Sequence, residues 1–318
     1  MSTGHSFTSA FAADLDRYLA FKKQMGFYGH SRIVYLRRFD AYCTRLGRTV
    51  FDRATVEGWV TDQLQRSGTH RSWMSYIRDF GRWLHAHGNS DAYVLSDQWK
   101  ASFIRPRPYL LTTDEIERFF TAGARLHAQS PWAWQAVAFF TLMHSCGIRT
   151  VEARRLLTSQ VDLDDGSLDI VAAKGRRSRR LPLTDDVAAV LRSCDQTSRT
   201  HIRPRSTFFV SSTGTPVSPA AVGVIFNRIW DQAGLPRPAG GKQPRPYDFR
   251  HHFAYANLER WMTDGTDVTA MLPYLARYMG HATFDSTYYY IHTSPDFMDS
   301  YADITAKSQS LLPEVGFE

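Results

Sequence analysis

The sequence predicts a mainly α-helical protein in two domains, with one small antiparallel β-sheet in the second. Three observations carry this reading. Apolar residues recur at steps of three and four along most of the chain, residues alternate from Ser167 to Leu183, and Arg105-Pro106-Arg107-Pro108 interrupts the helical pattern. At 318 residues the chain also exceeds what a single hydrophobic core usually covers, so two cores are expected.

The first domain, residues 1–108, reads as a bundle of four helices at about Phe11 to Met25, Ser31 to Cys43, Thr55 to Gln65 and Thr69 to His87. In the last of these, Trp73, Ile77, Phe80 and Leu84 fall on one helical face, and Arg71, Arg78 and Arg82 are expected largely outside that stripe. Two prolines within residues 105–108 bias the backbone to extended conformations, which places the linker there. The second domain, residues 109–318, opens on Thr112-Thr113-Asp114-Glu115 ahead of Ile116, Phe119 and Phe120, the arrangement of a capping box. A very apolar helix follows from Trp132 to Ser145. The alternating run from Ser167 to Leu183 then reads as a hairpin whose turn is Lys174-Gly175-Arg176-Arg177-Ser178. Further helices are expected at about Ser218 to Ala233, Tyr247 to Met262 and Val268 to Met279, and another from Asp296 to Leu312 before Pro313.

Composition narrows the function. No run of 18 apolar residues appears, and the first 25 residues mix Asp14, Asp16, Arg17, Lys22 and Lys23 into an amphipathic pattern unlike a signal peptide, so a cytoplasmic protein is expected. Cys43, Cys146 and Cys194 are widely separated, which points to free thiols and argues against a disulfide framework or a zinc site. The net charge of +7 is unevenly spread: residues 1–108 hold 16 Lys and Arg against 9 Asp and Glu, and the remainder holds 22 against 22. A basic domain fits a polyanionic partner, because binding releases the polyanion's counterions. The chain lacks H-E-x-x-H and a carboxylate cluster spaced for two-metal chemistry, and Gly240-Gly241-Lys242 lacks the upstream glycine of a P-loop. Neither a metal nor a nucleotide cofactor is therefore expected.

Five short stretches carry the chemistry: Cys146-Gly147-Ile148-Arg149-Thr150-Val151-Glu152, Lys174-Gly175, Tyr247-Asp248-Phe249-Arg250-His251, Gly280-His281 and Tyr290-Ile291-His292. In this order they resemble the tyrosine recombinase, or phage integrase, family. That family's pattern runs T-G-x-R-x-x-E, a hairpin Lys, H-x-x-R-H, L-G-H and a nucleophilic Tyr nine residues after the last His. Tyr290 stands nine residues after His281. The resemblance covers about residues 109 to 292 strongly. The N-terminal helices match only in kind, as a SAM-like core-binding domain.

Physics gives each position a reason beside the resemblance. A phosphodiester under attack gathers negative charge on its non-bridging oxygens, and fixed guanidiniums meet those oxygens with paired hydrogen bonds. Arg149 and Arg250 are the residues for that clamp, and the plain alternative is an ion pair, with Glu152 for Arg149 and Asp248 for Arg250. The resemblance makes Lys174 the proton donor to the leaving 5′-oxygen. Its neighbours Arg176 and Arg177 do not readily give up a proton. It also makes His281 a hydrogen-bond donor to the phosphate, where the alternative is an ordinary histidine past a helix end at Gly280. Tyr288, Tyr289 and Tyr290 are consecutive, and two of the three are expected to pack in the core. The nucleophile must be the one facing the arginines, whose charge would favour its phenolate; spacing selects Tyr290, with Tyr288 second. The chain departs from the pattern at Tyr247, where the family usually has His. Tyr247 can donate a hydrogen bond to phosphate but is a weak base, so His251 and His281 are both open as acceptors of the Tyr290 proton, with His251 read mainly as a packing residue.

The resemblance implies a partner of double-stranded DNA with inverted-repeat core sites. It implies a homotetramer on two duplexes, with related recombinases or accessory DNA-bending proteins as further partners, and a Holliday junction midway. The segment Met271-Leu272-Pro273-Tyr274-Leu275 is similar to that of transposon-borne integrases. The final helix, with Phe297, Tyr301, Ile304 and Leu311 on one face, docks either on its own domain or on a neighbour, and the resemblance favours the neighbour. A type IB topoisomerase or telomere resolvase would share the five stretches, and a silent DNA-binding regulator could keep the fold.

Overall fold

The computed structural model describes residues 7–27, 29–66, 73–99, 108–126, 133–171, 178–202, 205–239, 242–281, 283 and 285–291. Lys174 to Arg177 of the hairpin turn, residues 105–107 of the linker, Gly240-Gly241 and the expected helix at 296–312 lie outside them. The chain divides into two compact units, Met1–Arg105 and Pro106–Glu318.

The first unit is built from α1 (Ala12–Gln24), α2 (His30–Leu46), α3 (Arg53–Arg66) and α4 (Met74–Ala86). Its core is aromatic: Phe39 lies edge-on to Trp59 at 5.5 Å and Phe51 edge-on to Phe80 at 5.3 Å between centroids. Trp73, Ile77, Phe80 and Leu84 are all buried, as their spacing predicts. Arg78 departs from expectation. It is buried, with Nε donating to Leu95 O at 2.7 Å and Nη2 to Ser96 O at 3.0 Å. The reason is a chain crossing: a β-carbon on Gly81 would stand 2.7 Å from Tyr93 O, so the segment after α4 lies directly against the helix. Arg78 supplies donors to carbonyls of this non-repetitive segment, sharing Ser96 O with the Trp99 backbone N–H. Arg82 is exposed, as expected.

The second unit holds α5 (Thr113–Arg125), α6 (Ala133–Ser145), α7 (Thr150–Arg155), a sheet of β1 (Val161–Asp162), β2 (Ser167–Ile170) and β3 (Arg179–Pro182), then α8 (Asp185–His201), α9 (Pro219–Gln232), α10 (Asp248–Thr263), α11 (Val268–Met279) and α12 (Asp285–Ile291). The capping box is present: Glu115 N donates to Thr112 Oγ1 at 3.2 Å and Thr112 N to Glu115 Oε2 at 2.9 Å. α6 is apolar on every side because it is central, with α5, α8, α9 and α10 packed around it. Phe119, Phe140, Phe226, Trp230 and Phe249 interlock beside it. The sheet is antiparallel in order β1-β2-β3, with Leu168 opposite Leu181 and Ile170 opposite Arg179. α8 has no counterpart among the sequence expectations. Its buried positions include Val187, Ala188, Leu191 and Cys194, so its apolar stripe is narrow and its remaining faces polar. A second, smaller core joins α10, α11 and α12 around Leu258, Leu272, Met279 and Tyr290.

Candidate active site

The site begins at the turn between α6 and α7. Gly147 has φ +57°, and a β-carbon there would lie 2.4 Å from Phe253 Cδ1, so both the backbone conformation and the close approach of α10 require glycine. The turn delivers Arg149 to the N-cap of α7, and Glu152 sits in the first helical turn. The Glu152 carboxylate accepts the Arg149 backbone N–H at 2.8 Å and its Nη1–H at 2.7 Å. It also accepts two hydrogen bonds from Arg179 on β3, at 2.8 and 3.2 Å. Burial pushes the Glu152 carboxyl up, but the Arg179 hydrogen bonds, the Arg149 backbone N–H and both positive charges outweigh it and hold it below the usual carboxylate range. The ion pair weighed for Arg149 thus exists, and it does not use the whole guanidinium: Nη2 donates to Gly280 O at 2.6 Å.

Arg250, on the first turn of α10, is fully buried. Its Nη1 donates to Gly147 O and its Nη2 to Met279 O at 2.8 Å. Its Nε has no partner among the described residues. The alternative pairing with Asp248 is not what holds it, since Asp248 accepts from the Arg245 backbone N–H at 2.7 Å. Carbonyls at the ends of two tight turns, Gly147 and Met279-Gly280, therefore fix the two guanidiniums. Gly280 ends α11 at φ +68°, the left-handed conformation that stops a helix and sends His281 out of its axis.

Tyr290 completes the group. On α12, Thr287 and Tyr290 are three residues apart and both buried, whereas Tyr288 is 40% exposed and Tyr289 is intermediate. Two of the three tyrosines thus pack in the small core, as expected: Tyr290 is fully buried in it and the half-buried Tyr289 packs against it. Its ring lies 6.1 Å from His281, 5.5 Å from His251 and 5.4 Å from Tyr255. One expectation changes. Burial raises the Tyr290 phenol above its ordinary value; Arg250 pulls it down, but less, so in the DNA-free protein this residue is a neutral phenol. His281 Nδ1 is 2.7 Å from Thr287 Oγ1. Tyr247 occupies the N-cap of α10, its ring edge-on to His251 at 5.0 Å. His251 Nδ1 is buried without a partner among the described residues.

Both histidines are held neutral. Burial lowers His281 to about 3, helped by Arg250, Arg149 and Arg179. Burial also lowers His251 to about 3, helped by Lys242, Arg245 and Arg250. An unfolded chain protonates these imidazoles below about pH 6.5 while the folded one does not. Their contribution to stability is therefore complete above pH 6.5 and is lost as pH falls towards 3. The melting temperature is expected to drop between about pH 7 and about pH 5, less steeply in His251→Gln; a flat profile in the parent protein would contradict the burial of neutral imidazoles.

Sequence reasoning overlooked two contributors, Arg179 and Thr287. Arg179 was detectable: it precedes Leu181 by two on a strand, so the pleat aims it at the buried side. Thr287 carried no signal of its own.

The sequence pattern of the phage integrase family matches residues 110–296, and the chain belongs to that family. It is a site-specific tyrosine recombinase. Among its relatives, the putative integrase/recombinase y4rE of Sinorhizobium fredii is 28% identical over 291 residues, covering 89% of this chain and 92% of the relative. The tyrosine recombinase XerC of Rhizobium meliloti is 27% identical over 215 residues, covering 67% of this chain and 63% of that one. Among solved structures, the Tn1549 transposon integrase in complex with a circular intermediate DNA superposes with a TM-score of 0.64 at 14% identity, covering 92% of this chain and 99% of that one.

Proposed function

We propose that the recombinase breaks double-stranded DNA by attack of Tyr290 Oη on a phosphodiester, leaving a 3′-phosphotyrosyl link and a free 5′-hydroxyl. A partner strand's 5′-hydroxyl later reverses the step. The observation that carries this reading is the meeting of Arg149, Arg250, His281 and Tyr290 from four separate segments of the chain. Arg149 and Arg250 bind the non-bridging oxygens. Fixing both guanidiniums on backbone carbonyls before DNA arrives removes reorganisation from the chemical step. His281 donates to the same phosphate and Tyr247 adds a hydroxyl donor at its edge. Lys174 protonates the departing 5′-oxygen. The neutral phenol of Tyr290 needs an acceptor for its proton, and His251 and His281 are the two imidazoles against its ring.

The DNA partner is a duplex carrying inverted-repeat core sites, bound by the basic first unit and the second together, and the working assembly is a homotetramer with any accessory DNA-bending protein added to it. Its place of action is the cytoplasm, on the nucleoid. A DNA duplex nicked next to its scissile phosphate traps the covalent species, because the short leaving strand diffuses away. Trapping is expected to proceed in excess EDTA without nucleotide, and DNA binding to weaken steeply with salt. Recovery of a lost activity on adding magnesium would count against the mechanism.

A further inference from the structure

The proposed clamp accounts for Arg149 and Arg250 but not for the third buried guanidinium beside them. Arg179 is held at more points than either. Its Nε donates to Tyr278 O at 2.7 Å, at the C-terminal end of α11. Its Nη1 and Nη2 both bind the Glu152 carboxylate, at 3.2 and 2.8 Å, and the side chain is only 8% exposed. A β-carbon on Gly280 would stand 2.8 Å from Arg179 Nη1, so the turn that carries His281 rests directly on this guanidinium. Its neighbour Arg180 points to the opposite face, half in solvent, where it pairs with Asp165 at 2.9 Å. The pleat thus selects Arg179 alone for the interior, on the side of Leu168 and Leu181.

Glu152 cannot hold Arg149 in one place unless its own carboxylate is held. Both carboxylate oxygens are shared between the two arginines: Oε1 accepts from Arg149 Nη1 and Arg179 Nη1, and Oε2 from the Arg149 backbone N–H and Arg179 Nη2. Without Arg179, the carboxylate keeps only its two bonds to Arg149 itself, and nothing ties that pair to β3.

We infer that Arg179 is a positioning residue of the reaction: through Glu152 and the Tyr278-Gly280 turn it sets the Arg149 guanidinium and His281 where the phosphate will lie, without touching DNA itself. This rests on the phosphate-clamp reading of Arg149. A displaced guanidinium weakens stabilisation of the transition state more than binding of the ground state, since most affinity for DNA comes from phosphate contacts spread over the whole interface.

The test is single-turnover covalent capture on the nicked duplex by the full chain, alongside DNA affinity and melting temperature, for Arg179→Ala, Arg149→Ala and the double variant. Arg179→Ala is expected to slow capture about a hundredfold, the cost of an ångström-scale misplacement, while DNA affinity changes less than about twofold. Arg179→Lys, which keeps a cation against Glu152 but loses the fork, is expected to recover part of the rate. If the alanine variant fails to fold, the lysine variant carries the same comparison. In the Arg149→Ala background, removing Arg179 is expected to cost far less than about a hundredfold, because its main effect runs through the missing group. Full additivity of the two losses, or loss of DNA affinity in step with capture, would overturn the inference. Unimpaired capture by Arg149→Ala would instead overturn the clamp reading on which it rests.

Discussion

Tyr290→Phe is expected to abolish covalent capture of nicked DNA while leaving DNA affinity within about twofold of the parent. The substitution removes the nucleophilic hydroxyl and nothing else, and the ring keeps its packing against His251, Tyr255 and His281. Tyr288→Phe is expected to remain active, since that side chain is exposed and on the other side of α12. Tyr289→Phe is expected to do the same. Denaturing gels of the trapped adduct read all three variants together. An inactive Tyr288→Phe beside an active Tyr290→Phe would mean that α12 presents a different face in the DNA complex.

Arg250→Lys is expected to have the second-largest effect. A lysine keeps the charge but has one ammonium where arginine has a fork that reaches both Gly147 O and Met279 O. Loss of one preorganised donor at a reacting centre costs roughly 10²–10³ in rate, so capture should fall by about that factor even if the charge stays. The same change leaves one buried carbonyl unsatisfied, worth about 1–3 kcal/mol, and the melting temperature should fall with it. A variant that cleaves at the parent rate would remove Arg250 from the clamp.

These two residues also show what can be read from sequence here. Motif order and spacing singled out Arg149, Arg250, His281 and Tyr290, and the fold brings these four side chains together, because each motif keeps its glycine or helix position fixed relative to the side chain. Gly147 and Gly280 are the clearest cases, being the turns whose carbonyls hold the two guanidiniums. Electrostatic state was not readable. Whether a tyrosine beside arginines is a phenolate depends on how deeply it is buried, and at Tyr290 burial outweighs Arg250. Within the run of three tyrosines burial follows the helix face, and on α12 the face of Thr287 and Tyr290 is the inner one.

The helical pattern was legible wherever a stripe of large apolar residues faced a core. Helix α11 spans the residues its pattern marks, and α1, α9 and α10 begin and end within a residue of theirs. The pattern failed where burial is achieved by other means. In α8 the buried Asp195 is paired with Arg205 and with Arg199 at 2.7 Å, and Ser198 satisfies itself on Cys194 O at 2.8 Å, so the inner face contains polar residues that a periodicity argument assigns to solvent. Arg78 and Arg179 are the same lesson in reverse. Both carry a charge on the buried side because backbone carbonyls or a carboxylate wait for it there, and such partners come from distant segments.

The most direct test of the central claim is to trap the covalent complex on nicked DNA, digest it with protease and nuclease, and identify by mass spectrometry which residue retains the nucleotide. The proposal requires a single adduct, a 3′-phosphate esterified to the Oη of Tyr290, formed in the presence of EDTA. An adduct on Tyr288, Tyr289 or a serine, or cleavage that leaves no protein–DNA bond, would contradict it.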